Sequence, residues 1–235
     1  QWGTFLRCHD ELTLEMVTPE ERQWMWETYA PEPRMRLNLG IRRRLAPLMD
    51  NDQRKILLMH SLLLTMGGSP FLYYGDEIGM GDNIWLEDRN GLRTPMQWDA
   101  SLNAGFSSAS PEKLYAPVIS DDIYGYAQVN VAAQRADPNS LLNRVRQMLA
   151  IRKQHPAFGW GTFDWEDTGN NAIAAYRRTT EEEALLIFNN LSDQTISLSL
   201  PEDFWGAEDV LTGQQFTEAH IQLEPYRFIW LRQLS

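Results

Sequence analysis

Phe5-Leu6-Arg7-Cys8-His9-Asp10-Glu11 is the stretch on which the fold turns. An apolar, strand-like run, Thr4-Phe5-Leu6, ends abruptly in Arg, Cys, His, Asp and Glu. At the carboxyl end of a parallel barrel strand, such a burst of ionisable groups reads as an active site, because that face of a barrel carries its chemistry. The alternative is a solvated strand end held by local salt bridges. A second unit of the same type lies downstream. Ser69-Pro70-Phe71-Leu72-Tyr73-Tyr74 reads as a short buried strand, and Gly75-Asp76-Glu77-Ile78-Gly79 follows it. Its glycines let the backbone turn sharply, and Asp76 and Glu77 read as a turn with a helix-capping acid.

The segments around these strands are punctuated for helices. Thr18-Pro19-Glu20-Glu21 combines a cap, a proline suited to the first turn and a capping-box glutamate. It predicts a helix to about Tyr29, stopped before Pro31 and Pro33. Asp50-Asn51-Asp52 caps a second helix, Arg54 to Thr65, whose broad apolar face ends at Gly67-Gly68. His60, Ser61, Thr65 and the Gly-Gly-Ser-Pro break argue against a membrane span there. A third helix is expected from about Ser140 to Gln154, stopped at His155-Pro156. From Gly75 to about Asp137 the chain reads as a long irregular stretch, which in a compact protein is usually functional. After Gly159-Trp160-Gly161 come short β-rich runs: Ala172–Arg178, Ala184–Phe188, Thr195–Leu200, Ile221–Leu223 and Phe228–Arg232. These predict a small antiparallel sandwich. The expected domains are 1–160 and 161–235.

The 235 residues carry 32 acidic and 21 basic side chains, a net charge of −11. That balance argues against nucleic acid or anionic membrane as a partner. The basic run Arg42–Arg44 is expected on a solvated face. A single cysteine, Cys8, excludes an intrachain disulfide framework and a Cys-based zinc site, and accords with a cytoplasmic protein. Aromatics make up 11%. They stack on sugar rings, but they fill cores equally well. The sequence opens at Gln1 in a strand-like run with no signal-peptide pattern, which is expected of a piece of something longer.

Asp88 through Asp99 adds Arg89 and Arg93, four residues apart on either side of a turn and followed by Trp98. Guanidinium forks suit carboxylates and sugar hydroxyls. With these residues in view, the sequence resembles glycoside hydrolase family 13, the α-amylase superfamily. Phe5–Glu11 is similar to its seventh-strand motif and Gly68–Glu77 to its eighth-strand motif. Arg89–Trp98 resembles a loop of its oligo-1,6-glucosidase-like subgroup, and Glu11–Thr18 narrows the resemblance to the trehalose synthase branch.

The resemblance implies the carboxyl-terminal portion of a (β/α)8 barrel, strands seven and eight with their helices, followed by an antiparallel β-sandwich. It implies that Asp10 is the third catalytic carboxylate, which stabilises the transition state. By the same resemblance His9 hydrogen-bonds the sugar beside it, and Arg93 anchors glucose at the innermost subsite through a salt bridge to an aspartate in the other half of the enzyme. Arg89 matches the earlier arginine of that loop, and Tyr73, Tyr74, Gly75 and Glu77 are expected to give structural support. Cys8 stands where the family has Asn, and Asn90 where it has Asp; Cys8 is expected to be a tolerated small replacement, with a redox role as the alternative. A retaining glycosidase also needs a nucleophile and a general acid about 5–5.5 Å apart, which the family draws from strands four and five. Those strands are not in this sequence, so the chain alone is expected to be inactive. The expected parent interconverts maltose and trehalose. Alternatives are a piece of an oligo-1,6-glucosidase or maltase, or a non-catalytic remnant binding carbohydrate or a protein. No cofactor or metal is expected. The expected partners are a small α-glucoside, the missing barrel half and, through exposed edges, other copies of the chain.

Overall fold

The computed structural model describes residues 2–233. In chain order, β1 (Gly3–Phe5) leads to α1 (Pro19–Tyr29), then to a hairpin of β2 (Arg36–Leu37) and β3 (Gly40–Ile41). The single turn α2 (Leu45–Leu48), α3 (Gln53–Thr65) and β4 (Ser69–Phe71) follow. After a long irregular stretch come α4 (Val131–Ala136), α5 (Leu141–Gln154) and α6 (Ala157–Trp160). Seven strands complete the chain: β5 (Thr162–Trp165), β6 (Ile173–Thr179), β7 (Ala184–Asn190), β8 (Ile196–Ser199), β9 (Glu208–Asp209), β10 (His220–Leu223) and β11 (Phe228–Arg232). No described helix is long and apolar enough to cross a membrane.

The helix signals act where they stand in the sequence. The Thr18 hydroxyl accepts from the Glu21 N–H at 3.2 Å, and the Glu21 carboxylate accepts from the Thr18 N–H at 2.8 Å. This reciprocal pair satisfies two donors that the helix start leaves open. At α3, the Asp52 carbonyl accepts from Ile56 N–H, and its carboxylate takes the Arg54 N–H at 2.9 Å.

The chain forms two compact units. One gathers the chain up to residue 4, residues 57–70 and the chain from residue 145. Its centre is an antiparallel sheet in the order β5-β6-β7-β11-β9, with β8 and β10 as a second, two-stranded layer. Leu186, Phe188, Ile229 and Leu231 face Leu198, Phe204, Ile221 and Leu223 in one core. The other face of the same strands, with Leu185, Ile187, Tyr176 and Trp230, packs on Leu64, Met148 and Phe158. With both faces covered, Ala184–Phe188 of β7 is apolar without alternation, and the strand ends in buried Asn189 and Asn190. A buried polar seam crosses this second face. The Ser61 hydroxyl donates to Asn189 Oδ1 at 2.8 Å and accepts from the Trp230 indole N–H at 2.9 Å. The Thr65 and Tyr176 hydroxyls meet at 2.5 Å. Arg178 caps the carbonyls of Thr65, Gly161 and Thr162 at 2.8–3.0 Å.

The buried strand expected over 69–74 is shorter and more open than its sequence implies. β4 ends at Phe71, whose surface is 62% exposed. Its one sheet neighbour among the described residues is β1. β5, β9, α4, α6 and the β2–β3 hairpin were not expected.

The second unit spans residues 5–56 and 71–144. Among the described residues, one small core lies around Leu14, Ala30 and Ile41 and another around Ile78, Met80, Met96, Val131 and Leu142. The solvated face expected for Arg42–Arg44 is overturned here: Arg42 is 6% exposed and Arg44 fully buried. The Arg42 guanidinium donates to the carbonyls of Arg34, Ile84, Leu86 and Asp88. Arg44 donates to Tyr74 O at 2.7 Å and Leu92 O at 2.9 Å, and its guanidinium lies over the Tyr73 and Tyr74 rings. Arg43 pairs with Asp82 at 2.9 Å. The irregular stretch from Gly75 onward has few ladders to satisfy its carbonyls. A buried carbonyl needs a donor, and a guanidinium offers five. The basic run is therefore internal scaffolding for the loops.

Candidate active site

Beyond β1 the chain bends, and Arg7 fixes the bend. Its buried guanidinium donates to Arg43 O at 2.7 Å, Asp10 O at 3.1 Å and Ile41 O at 3.2 Å. The backbone of Asp10 is thereby set against the β2–β3 region, and its carboxylate is left partly exposed.

The loop after residue 82 brings two arginines to that carboxylate. A turn of 3-10 helix at Asn90–Leu92 separates Arg89 from Arg93. Gly91 is required there, since a Cβ would lie 2.1 Å from Asn83 O. Leu92 is fully buried and anchors the turn. Both guanidiniums then reach one oxygen: Asp10 Oδ1 lies 3.0 Å from Arg89 Nε and 2.9 Å from Arg93 Nη2. The other oxygen, Oδ2, lies 3.1 Å from His9 Nε2. Arg93 Nε donates to His9 O at 3.2 Å, and the Tyr115 hydroxyl donates to Arg93 O. All four residues expected at the site, Asp10, His9, Arg93 and Arg89, thus form one connected cluster. It is a carboxylate clamped on one oxygen by cations, with the other directed to an imidazole and open to solvent.

Sequence reasoning did not single out two further members. Glu11, with a side chain 11% exposed, meets Arg89 through Oε1 at 3.0 Å and Oε2 at 2.9 Å. Asn38 donates to Glu11 Oε1 at 2.7 Å. Burial pushes the Glu11 carboxyl up, but its own N–H, Asn38 and Arg89 outweigh that and hold it below the usual glutamate range. The acid run Asp10-Glu11 was visible; its partner Asn38 lies in a hairpin that no local pattern announces.

Asp76 has a different environment. It is 3% exposed, with Oδ1 3.7 Å from Arg44 Nη1. Burial dominates, and the carboxyl is pushed up to about 7 despite the opposing pull of Arg44. Tyr73 and Tyr74 donate to Leu92 O and Thr94 O at 2.9 and 2.7 Å, bracing the arginine loop from below.

Cys8 Sγ, a His9 ring nitrogen and an Asp10 oxygen lie within 4.8 Å of one another, although a cysteine-based metal site was set aside on sequence. One oxygen of that carboxylate, Asp10 Oδ1, is already taken up by Arg89 and Arg93.

Residues 41–161 match the family of the α-amylase catalytic domain, and residues 166–230 the maltogenic amylase C-terminal domain. The chain is 56% identical to a trehalose synthase of Pimelobacter sp. (strain R48) over 206 residues, covering 85% of this chain and 36% of that protein. It is also 56% identical, over 207 residues, to the trehalose synthase/amylase TreS of Mycobacterium tuberculosis (strain H37Rv), covering 86% and 34%. The chain spans about a third of the length of these curated relatives. A solved isomaltulose synthase mutant of Erwinia rhapontici NX5, in complex with D-glucose, matches the fold with a TM-score of 0.67 at 23% identity. That match covers 98% of this chain and 42% of that one. Part of a TIM-barrel catalytic domain, followed in sequence by an antiparallel β domain, is thus the fold of this chain, which belongs to the α-amylase family, glycoside hydrolase family 13.

Proposed function

We propose that this chain is the carboxyl-terminal part of an enzyme that interconverts maltose and trehalose by retaining glucosyl transfer. The observation that carries the reading is the Asp10 carboxylate, held on Oδ1 by Arg89 and Arg93 with Oδ2 beside His9. Breaking a glycosidic bond passes through an oxocarbenium-like transition state. A preorganised carboxylate facing that positive charge stabilises it more than the ground state. In this reading His9 and Arg93 grip glucose hydroxyls, and Arg89 holds the carboxylate in place. The nucleophile and general acid come from the rest of the parent protein, so the chain alone does not turn over maltose. The family matches at 41–161 and 166–230 support a boundary between barrel and β domain near residue 160. The single cysteine and the net charge of −11 support a cytoplasmic protein without nucleic-acid or membrane partners.

Hydrolysis is the second reading, favoured by the Mycobacterium tuberculosis relative, which is a trehalose synthase/amylase. The two differ in whether water reaches the glucosyl intermediate. In the full-length protein, Asp10→Asn should lower kcat by at least on the order of 10²–10³. Product analysis on maltose then separates the readings: trehalose marks transfer and free glucose marks hydrolysis. Retention of kcat within about tenfold would remove Asp10 from its role as the stabilising carboxylate.

A further inference from the structure

We propose that Glu11, held in place by Asn38, is a positioning residue that shares the charge of Arg89 and thereby sets the Asp10 carboxylate for catalysis. The proposal rests on Asp10 being the carboxylate that stabilises the transition state. Arg89 Nη2 donates to Glu11 Oε1 at 3.0 Å, and its Nε lies 2.9 Å from Glu11 Oε2 as an ion-pair contact without hydrogen-bond geometry. The same Nε sits 3.0 Å from Asp10 Oδ1. Arg89 is therefore anchored by one carboxylate while it touches another. A charge-assisted hydrogen bond with a second ion-pair contact beside it anchors the Arg89 guanidinium on Glu11.

The β2–β3 hairpin is built onto this glutamate. Asn38 lies at its turn with φ +51°, a left-handed conformation that Asn tolerates better than most residues but at some cost. That conformation accompanies the 2.7 Å hydrogen bond from its amide to Glu11 Oε1. Two residues on, a Cβ at Gly40 would lie 2.9 Å from Glu11 Cγ and 2.5 Å from Leu12 O, so only glycine lets the hairpin close down here. Leu12 and Ile41 exchange backbone hydrogen bonds at 2.8 and 2.9 Å and lock the approach.

The electrostatic consequence follows from sharing. Asp10 needs its negative charge in the transition state, yet two guanidiniums lie against it. Glu11 draws Arg89 toward itself, and Asp88 takes the Arg89 Nη1 at 2.9 Å. Without Glu11, Arg89 is free to swing wholly onto Asp10, turn its carboxylate and quench it.

The test is a kinetic cycle in the full-length protein. Glu11→Gln keeps an oxygen for Asn38 and nearly the same shape, but removes the charge. A misplacement of about 1 Å can cost on the order of 10²-fold in rate, and we expect kcat to fall about tenfold or more with KM moving far less. Thermal unfolding of the variant should match the parent. Because Glu11 acts through Arg89, Glu11→Gln should add little to Arg89→Gln. Asn38→Ala, which leaves the carboxylate in place, should lower kcat in the same direction by less, and it serves if Glu11→Gln does not fold. Unchanged kcat in the Glu11 variant, or an effect fully additive with Arg89→Gln, would overturn the proposal while leaving Asp10 in its role. Retained turnover in Asp10→Asn would instead overturn the assignment of Asp10 itself.

Discussion

Asp10 and Asp76 are both carboxylates beside arginine, and their surroundings set them to opposite tasks. Asp10 is half-exposed, with one carboxylate oxygen against two guanidiniums and the other beside His9. Asp76 is almost fully buried, its Oδ1 accepts no hydrogen bond, and Arg44 stands 3.7 Å away. The desolvation of a charge outweighs one distant partner. Its carboxyl rises from 3.8 to about 7, so the folded state holds this proton more tightly than the unfolded chain does. The resulting stabilisation is fully present below about pH 4 and is lost as pH rises through about 7. Melting temperatures of the chain and of Asp76→Asn should thus converge near pH 4. Toward pH 8 the variant should become the more stable. A difference that stays flat across that range would mean that burial does not govern Asp76.

α1 shows what a local signal achieves at the edge of a small core. None of its residues is fully buried, and only Met25, Trp26 and Tyr29, in its second half, pack against the core of Leu14, Ala30 and Ile41, so its start rests on the Thr18–Glu21 exchange. Thr18→Ala should cost about 1 kcal/mol, read as a lower denaturant midpoint at unchanged slope, and a loss of only a few tenths would show that packing carries the helix after all. The same contrast explains which elements the sequence made legible. α1, α3 and α5 were placed to within a residue or so because caps, glycines and prolines mark their ends. β6, β7 and β11 were placed by their β-branched and aromatic runs. The β2–β3 hairpin was invisible: each strand has two residues, too few for alternation, and what closes it is the pairing of Leu12 with Ile41. β5 and β9 exist because β6 and β11 offer edges to them. Arg42 and Arg44 misled for a related reason, since their partners are carbonyls far along the chain, which no local pattern encodes. At the site, Asp10, His9, Arg89 and Arg93 were legible through motif, while Glu11 and Asn38 depended on that hidden hairpin.

At the scale of the whole chain, exposure and protection should divide sharply. Trp2, Phe5 and Phe71, in and beside the short β1–β4 pair, are 83%, 56% and 62% exposed. Open strand edges with apolar side chains promote association. In the first unit, β7 lies between β6 and β11 with both faces covered. Hydrogen exchange on the isolated chain should therefore be slowest in β6, β7 and β11 and faster in β1, β4 and the 75–130 loops. Light scattering should report assemblies larger than a monomer. A strict monomer with even protection throughout would contradict this. The seam of Ser61, Thr65, Tyr176, Asn189 and Trp230 also bears on how relatives can be recombined. A chimaera crossing over at residue 160 would give the incoming sheet a foreign α3, and any partner without matching hydroxyls would strand the Asn189 amide and the Trp230 indole in the interior. Grafting residues 57–70 together with the sheet keeps donor and acceptor in one inheritance, so this pair of segments, rather than the β domain alone, is the transferable cassette.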